Sequence, residues 1–195
     1  MWNERYSQAE YVYGKHPNDF LVEVVQQIPK GQVLCLADGE GRNGVYLAQQ
    51  GYQVTAVDAS SVGLEKARKL SAERSVEIET IIADLAEFPI QPNSWNAIVS
   101  IFCHLPPIVR AHVHRQVVSG LRSGGVFVLE AYTPRQLQFK TGGPPTAELT
   151  VELTVLQQEL EGLEFKHAVE LERDIQEGLF HQGRSSVVQV VAMKA

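Results

Sequence analysis

Cysteine is scarce in this chain: of 195 residues only Cys35 and Cys103 carry a thiol. Two such residues in apolar runs build no disulfide framework and match no metal spacing, so both read as buried thiols in a reducing compartment. Long apolar runs are missing too, and without one there is no span to cross a bilayer and no membrane partner. The first residues, Met1-Trp2-Asn3-Glu4-Arg5-Tyr6, are too polar for a signal peptide, and a cytoplasmic protein is expected. Basic excess is also absent: 17 Lys and Arg stand against 23 Asp and Glu, a formal net charge of −6. Nucleic-acid binders usually present a basic face, so no nucleic-acid partner is expected. Lys66, Arg68, Lys69 and Arg74 share a predicted helix and read as its solvated side. His112 and His114 are two apart on a helix, hence on different faces, and no other His/Cys/Asp cluster has ligand spacing; no metal is expected.

What is present is an ordered alternation. Apolar strand-like runs at 33–37, 53–57, 78–82, 96–102 and 126–131 alternate with helical patterns, which implies a mostly parallel sheet with right-handed crossovers. The helices are expected at 19–28, at 45–50 before the natural stop Gly51, after a cap at Ser60 or Ser61, and after Pro106-Pro107. A capping box at 154–157 starts a further short helix. The runs 164–171 and 185–193 then form an antiparallel hairpin whose turn contains Gly178, His181 and Gly183. The length suits one domain over 1–195. Within it, 1–30 is an N-terminal arm and helix, 31–131 a cofactor-binding core, 132–150 a Gly/Pro-rich candidate lid, and 151–195 the last helix and hairpin.

The densest signal lies between the first two strands. Gly39-Glu40-Gly41-Arg42-Asn43-Gly44 fits the G-x-G-x-x-G pattern, and Asp58 closes the next strand 19 residues after Gly39 (39 to 58). Glycines at a strand-to-helix turn let a ligand approach bare backbone, and an acid at the second strand's end can accept from both hydroxyls of a ribose. That is a socket for an adenosine cofactor, either NAD or S-adenosylmethionine (SAM). Two features favour SAM. A dehydrogenase needs a second half-sheet and a substrate domain, for which the chain has no room. The third strand also ends in an acid and an apolar residue, Asp84-Leu85, able to meet the adenine amino group and ring.

The loop, with Tyr46-Leu47-Ala48 and Gly51-Tyr52, resembles the tellurite-resistance type methyltransferases of the thiopurine-methyltransferase-like group. The resemblance extends to Trp2, Arg5-Tyr6, Tyr13-Gly14, the segment 100–107, Leu121-Arg122-Ser123-Gly124-Gly125 and the terminal hairpin. It implies an α/β, single-domain, Rossmann-like class I methyltransferase fold: a mostly parallel seven-stranded sheet, a C-terminal antiparallel hairpin and helices on both faces. It also implies SAM at the carboxyl ends of strands one to four, with Gly39, Gly41, Asn43, Asp58, Ala59, Asp84, Leu85, Ser100 and Phe102 as the cofactor contacts. The chain departs from that pattern at Cys35, where an acid is usual, and at Ala37, where a glycine is usual.

For the acceptor side, His104 follows strand four and either reaches acceptor or cofactor or caps the Pro106 helix. In the relatives, a histidine and arginines of the terminal hairpin are associated with substrate or catalysis. Here these are His181, a base suited to neutral pH, and Arg184, suited to an oxyanion; the other reading of His181 is an exposed turn residue. The aromatic N-terminus folds over the cofactor or is a packing arm. The function expected is methyl transfer from SAM, leaving S-adenosylhomocysteine (SAH), to a small molecule: a thiol, a thiopurine-like heterocycle, or a chalcogen or metalloid oxyanion. The alternatives are an NAD-dependent reductase and a catalytically silent SAM-binding protein. The sequence leaves monomer and homodimer both open.

Overall fold

A computed structural model describes residues 2–195. One seven-stranded sheet runs through it in the order β3-β2-β1-β4-β5-β7-β6. β1 (Gln32–Leu36), β2 (Gln53–Asp58), β3 (Glu79–Ile82), β4 (Trp95–Ile101) and β5 (Leu121–Tyr132) are parallel to one another. β7 (His181–Lys194) enters antiparallel between β5 and β6 (Leu163–Glu177). The helices are α1 (Trp2–Tyr6), α2 (Asp19–Val24), α3 (Arg42–Gln49), α4 (Ser61–Glu73), α5 (Pro107–Gly120) and α6 (Leu153–Glu159).

The central strands are apolar throughout because both faces are covered, and alternate side chains feed two separate layers. From β1, Leu34 and Leu36 join Phe127 of β5, Val113 and Val117 of α5 and Leu156 of α6. Val33 and Cys35 point the other way, to Phe20 and Leu21 of α2 and Leu47 of α3. β1 and β4 reverse the direction in which neighbouring strands are added, so a crevice opens beyond their carboxyl ends, where such sheets bind ligands.

Several expectations need correction. α2 is shorter than 19–28: it gives way at Val25–Gln27 to a 3-10 turn. α3 starts at Arg42, so half of the glycine motif is already helix. The capping box at 154–157 does not form; α6 begins at Leu153, whose amide donates to Glu170 Oε1 at 2.6 Å, while Glu152 supplies no side-chain cap. The hairpin is far longer than its apolar runs, and only Gly178-Leu179-Phe180 remain outside the strands. His181 is therefore the first residue of β7, paired with Glu177, and Gly183 is also within the strand. Lys66 is no solvated lysine: its ammonium lies 2.7 Å from the buried Glu40 carboxylate.

Candidate active site

A cavity of about 280 Å³ occupies the crevice. Its floor comes from strand ends, which is why local sequence reaches it. Asp58 ends β2 and is 6% exposed; its Oδ2 accepts from Gly39 N at 2.9 Å and its Oδ1 from Ser60 N at 2.7 Å. Burial pushes the Asp58 carboxyl above its usual pKa, and those two amides oppose the shift. Asp84 and Leu85, just beyond β3, line the same cavity, as do Asn43, Ala59, Phe102, His104 and His181.

Three residues expected at the cofactor do not line it. Gly41 caps α3 with φ +86°, and a Cβ there would fall 2.5 Å from Ala67 Cβ. Its smallness serves the contact between α3 and α4. A Cβ on Gly39 would meet Tyr6 Oη at 2.6 Å, so this glycine leaves room for the N-terminal arm. Ser100 is buried within β4. Arg184, expected beside the acceptor, is also outside the lining; its guanidinium pairs with Glu172 across the hairpin.

The arm roofs the cavity instead of the 132–150 loop. Trp2, Tyr6, Tyr13 and Gly14 line it, and no residue of that loop does. The loop is tied to the hairpin, where Thr141 Oγ1 donates to Arg184 O at 2.7 Å and Gln182 N donates to Thr141 O at 3.2 Å. The arm is held by Glu40 of the glycine loop, whose Oε2 accepts from Val12 N at 2.8 Å. Asn3 Oδ1 accepts from Ser60 Oγ at 2.7 Å, fastening α1 to the start of α4.

Sequence reasoning missed Asp38. Its Oδ1 accepts from Gly44 N at 3.2 Å, but its buried Oδ2 has no partner, and the residue lines the cavity. Burial pushes its pKa up to about 7. An orphaned carboxylate oxygen at a cavity wall suits a cationic ligand group. Glu177 and Arg42 were missed as well. Arg42 Nη2 donates to Glu177 Oε2 at 2.6 Å, and Asn18 Nδ2 donates both to Glu177 at 2.9 Å and to Glu130 at 2.6 Å. Arg173 completes this buried group with two bonds to Glu130 at 2.7 and 2.8 Å. The acid beside the glycines was a local signal for Asp38; Glu177 lies 135 residues from Arg42 and left none.

Both candidate histidines reach the cavity. His181 is 5% exposed, with Nδ1 unpartnered and 3.7 Å from Glu177 Oε2. Burial lowers its pKa, with Glu177 opposing. His104 is lowered to about 3 by burial and then by His181. Cys103 also lines the cavity, its thiol pushed up to about 12 by burial and by Asp58. Phe102 holds φ +52°, a left-handed backbone costing an L-residue about 1–2 kcal/mol, and this aims its ring at the site.

Residues 33–125 match the family described as a methyltransferase domain. Over 148 residues the chain is 27% identical to the tRNA (uracil(54)-C(5))-methyltransferase of Pyrococcus furiosus, covering 70% of this chain and 32% of that protein. It is 32% identical over 94 residues to the uncharacterized methyltransferase YodH of Bacillus subtilis, covering 46% and 40%. The chain thus spans less than half the length of these two relatives. The crystal structure of TehB from Haemophilus influenzae superposes with TM-score 0.76 at 20% identity, over 91% of this chain and 62% of that one. Sheet order, crevice and sequence match agree: residues 33–125 are similar to a methyltransferase domain, and the fold is one shared with solved SAM-dependent methyltransferases. Its fold is that of TehB, and the methyltransferase match implies SAM as the cofactor.

Proposed function

We propose that this protein transfers the methyl group of SAM to a small molecule held under the N-terminal arm. The observation that carries the reading is the acid set around one cavity: Asp58 and Asp84 at successive strand ends, and Asp38 with its unpartnered buried oxygen. The chemistry of these donors and acceptors fits SAM. Asp58 would hold the ribose hydroxyls, Asp84 and Leu85 the adenine, and Asp38 the α-ammonium. The cofactor supplies an activated methyl on sulfur, so the chain's own task is to bind, orient and exclude water. Tyr6 and Trp2 close the roof. His181 accepts the acceptor's proton, and its lowered pKa keeps it uncharged and ready at neutral pH.

The acceptor classes in question are a thiol, a thiopurine-like heterocycle, or a chalcogen or metalloid oxyanion. A tRNA acceptor, named for the Pyrococcus relative, has less support. The matched region leaves most of that relative aside, and the net charge of −6 disfavours a polyanion. Cys103, with its thiol pushed up to about 12, holds no thiolate at neutral pH to attack a pyrimidine ring. Two free thiols and the absence of any helix among the described residues able to cross a membrane accord with a cytoplasmic place of action.

Titration calorimetry with SAM, SAH and NAD tests the binding half of this reading. Binding of SAH with none of NAD is expected, and the reverse result would establish the reductase alternative. Labelled-methyl transfer to small acceptors, with total cellular RNA in parallel, tests the chemical half. SAH binding with no transfer to any acceptor would leave a silent SAM-binding protein.

A further inference from the structure

We infer that the acceptor is an uncharged aromatic molecule bearing a ring hydroxyl or thiol, and not an oxyanion. This rests on the methyltransferase reading above and narrows it. On the wall, aromatic rings cluster around His181. Tyr13 and His181 lie 4.7 Å apart between ring centroids, and Phe102 and His181 lie 5.1 Å apart edge to face. Behind Phe102, Tyr132 stacks at 4.6 Å and 20°. Such a wall receives a planar ring at little desolvation cost.

The charges point the same way. Oxyanions are held by guanidinium forks or ammonium groups with free donors. Among the described residues, Arg42 is the only Lys or Arg on the cavity wall, and it is committed to Glu177. Arg173 is committed to Glu130, and Arg184 to Glu172 away from the cavity. Arg5, outside the cavity lining, donates to Tyr13 Oη at 2.9 Å and lies over Trp2 and Phe180. Of the carboxyl groups on the same wall, Glu40 is paired with Lys66, and Asp38, Asp58 and Asp84 are those given to SAM. Burial lowers the pKa of both imidazoles, which favours their uncharged forms. A soluble oxyanion would therefore lose water without meeting an uncommitted cation on the wall.

A neutral ring hydroxyl needs a base, and the wall offers one. Glu177 beside Nδ1 favours the proton on that nitrogen, which leaves the Nε2 lone pair of His181 as acceptor. In the transfer, the acceptor oxygen or sulfur forms its bond to the methyl carbon while its proton passes to Nε2. The electron pair of the broken carbon–sulfur bond stays on the cofactor's sulfur, so charge and atoms balance.

The test uses the full chain saturated with SAH and four probes at pH 7: 8-hydroxyquinoline and 2-naphthol, both uncharged, and selenite and tellurite. Calorimetry should show both rings binding at least tenfold more tightly than either oxyanion, and labelled SAM should give their methyl ethers. The inference is overturned if neither ring binds the SAH complex, or if selenite or tellurite binds as tightly as the rings or is methylated faster. Loss of SAH binding itself would reject the methyltransferase reading instead, so the two failures are distinguishable.

Discussion

Asp58→Asn is the sharpest probe of the cofactor assignment, because the geometry of this carboxylate fixes what the change removes. Each oxygen already accepts one backbone amide, from Gly39 at 2.9 Å and from Ser60 at 2.7 Å. A carboxylate offers about four lone-pair sites, so one remains on each oxygen for the two ribose hydroxyls. Asparagine retains one such oxygen and turns an amino group toward the other donors. One ribose bond is lost and the other changes from charged to neutral. Hydrogen bonds to charged groups contribute about 1.5–3 kcal/mol and neutral ones about 0.5–1.5, so the loss is about 2–4 kcal/mol. At 1.4 kcal/mol per tenfold this weakens SAH binding about 30- to 700-fold. The folded protein suffers less. One backbone amide is left facing a donor, but the variant no longer buries a charge whose pKa desolvation raises. Urea unfolding should therefore shift by about 1–2 kcal/mol, so the protein stays folded during calorimetry. A folded Asp58→Asn protein whose SAH affinity lies within threefold of the parent would refute the ribose assignment.

Asp38 predicts a pH effect with a definite sign. Its carboxyl, pushed up to about 7 by burial, must ionise to accept an ammonium, so SAH affinity should rise from pH 6 to pH 8 and Asp38→Asn should flatten the rise. The same group acts oppositely on stability: between the unfolded value of about 3.9 and 7 the folded state holds the extra proton, so its contribution declines as pH rises. Ala37 stands at φ +51°, which an alanine tolerates at about 1–2 kcal/mol; Ala37→Gly should leave chemical stability equal or slightly higher, whereas the branched Ala37→Val should lower it by more than about 1 kcal/mol. Lys66→Met strips the partner from a Glu40 side chain only 2% exposed. A cost of about 2–4 kcal/mol is expected in denaturant unfolding, below the full penalty for a buried pair because the lysine retains some water contact. The arm should loosen at the same time, which limited proteolysis at Arg5 would detect; unchanged cleavage would deny that Glu40 fastens it.

The alternation of strands and helices, the two acids at strand ends and the helix stop at Gly51 were legible because each is fixed by residues adjacent in sequence. Ser60 shows the same locality: its hydroxyl accepts from Gly63 N at 3.0 Å, three residues on. The glycine motif was legible as a turn but not in its details. Gly41 looked like a ligand contact, yet the atom it makes room for is Ala67 Cβ on another helix. The hairpin length was hidden because β6 alternates exposed and half-buried positions with many charges, as an edge strand facing water does. Its apolar pattern therefore ended well before its hydrogen bonds did. The candidate lid at 132–150 read as free because it is rich in glycine and proline. Gln136 shows why it is not, for it is 1% exposed and its Oε1 accepts from Ser186 N at 2.8 Å, fifty residues away.

The charged residues inside and around the glycine motif were the least legible, and they explain how distant segments form one site. Glu40 and Arg42 would ordinarily be assigned to solvent. Glu40 instead reaches forward to the arm through Val12 and sideways to α4 through Lys66. Arg42 reaches Glu177, the residue beside His181 in the hairpin. One short loop thus binds the roof on one side and, through Glu177, the hairpin that carries His181, the proposed base, on the other. A shift of this loop would disturb both sets of contacts, since Glu40 and Glu177 are buried and each would lose a cation partner. The arm and the hairpin strand that begins at His181 are therefore tied to one loop, the first by the Val12 amide on Glu40 and the second by the ion pair of Arg42 with Glu177, with no part played by the 132–150 loop.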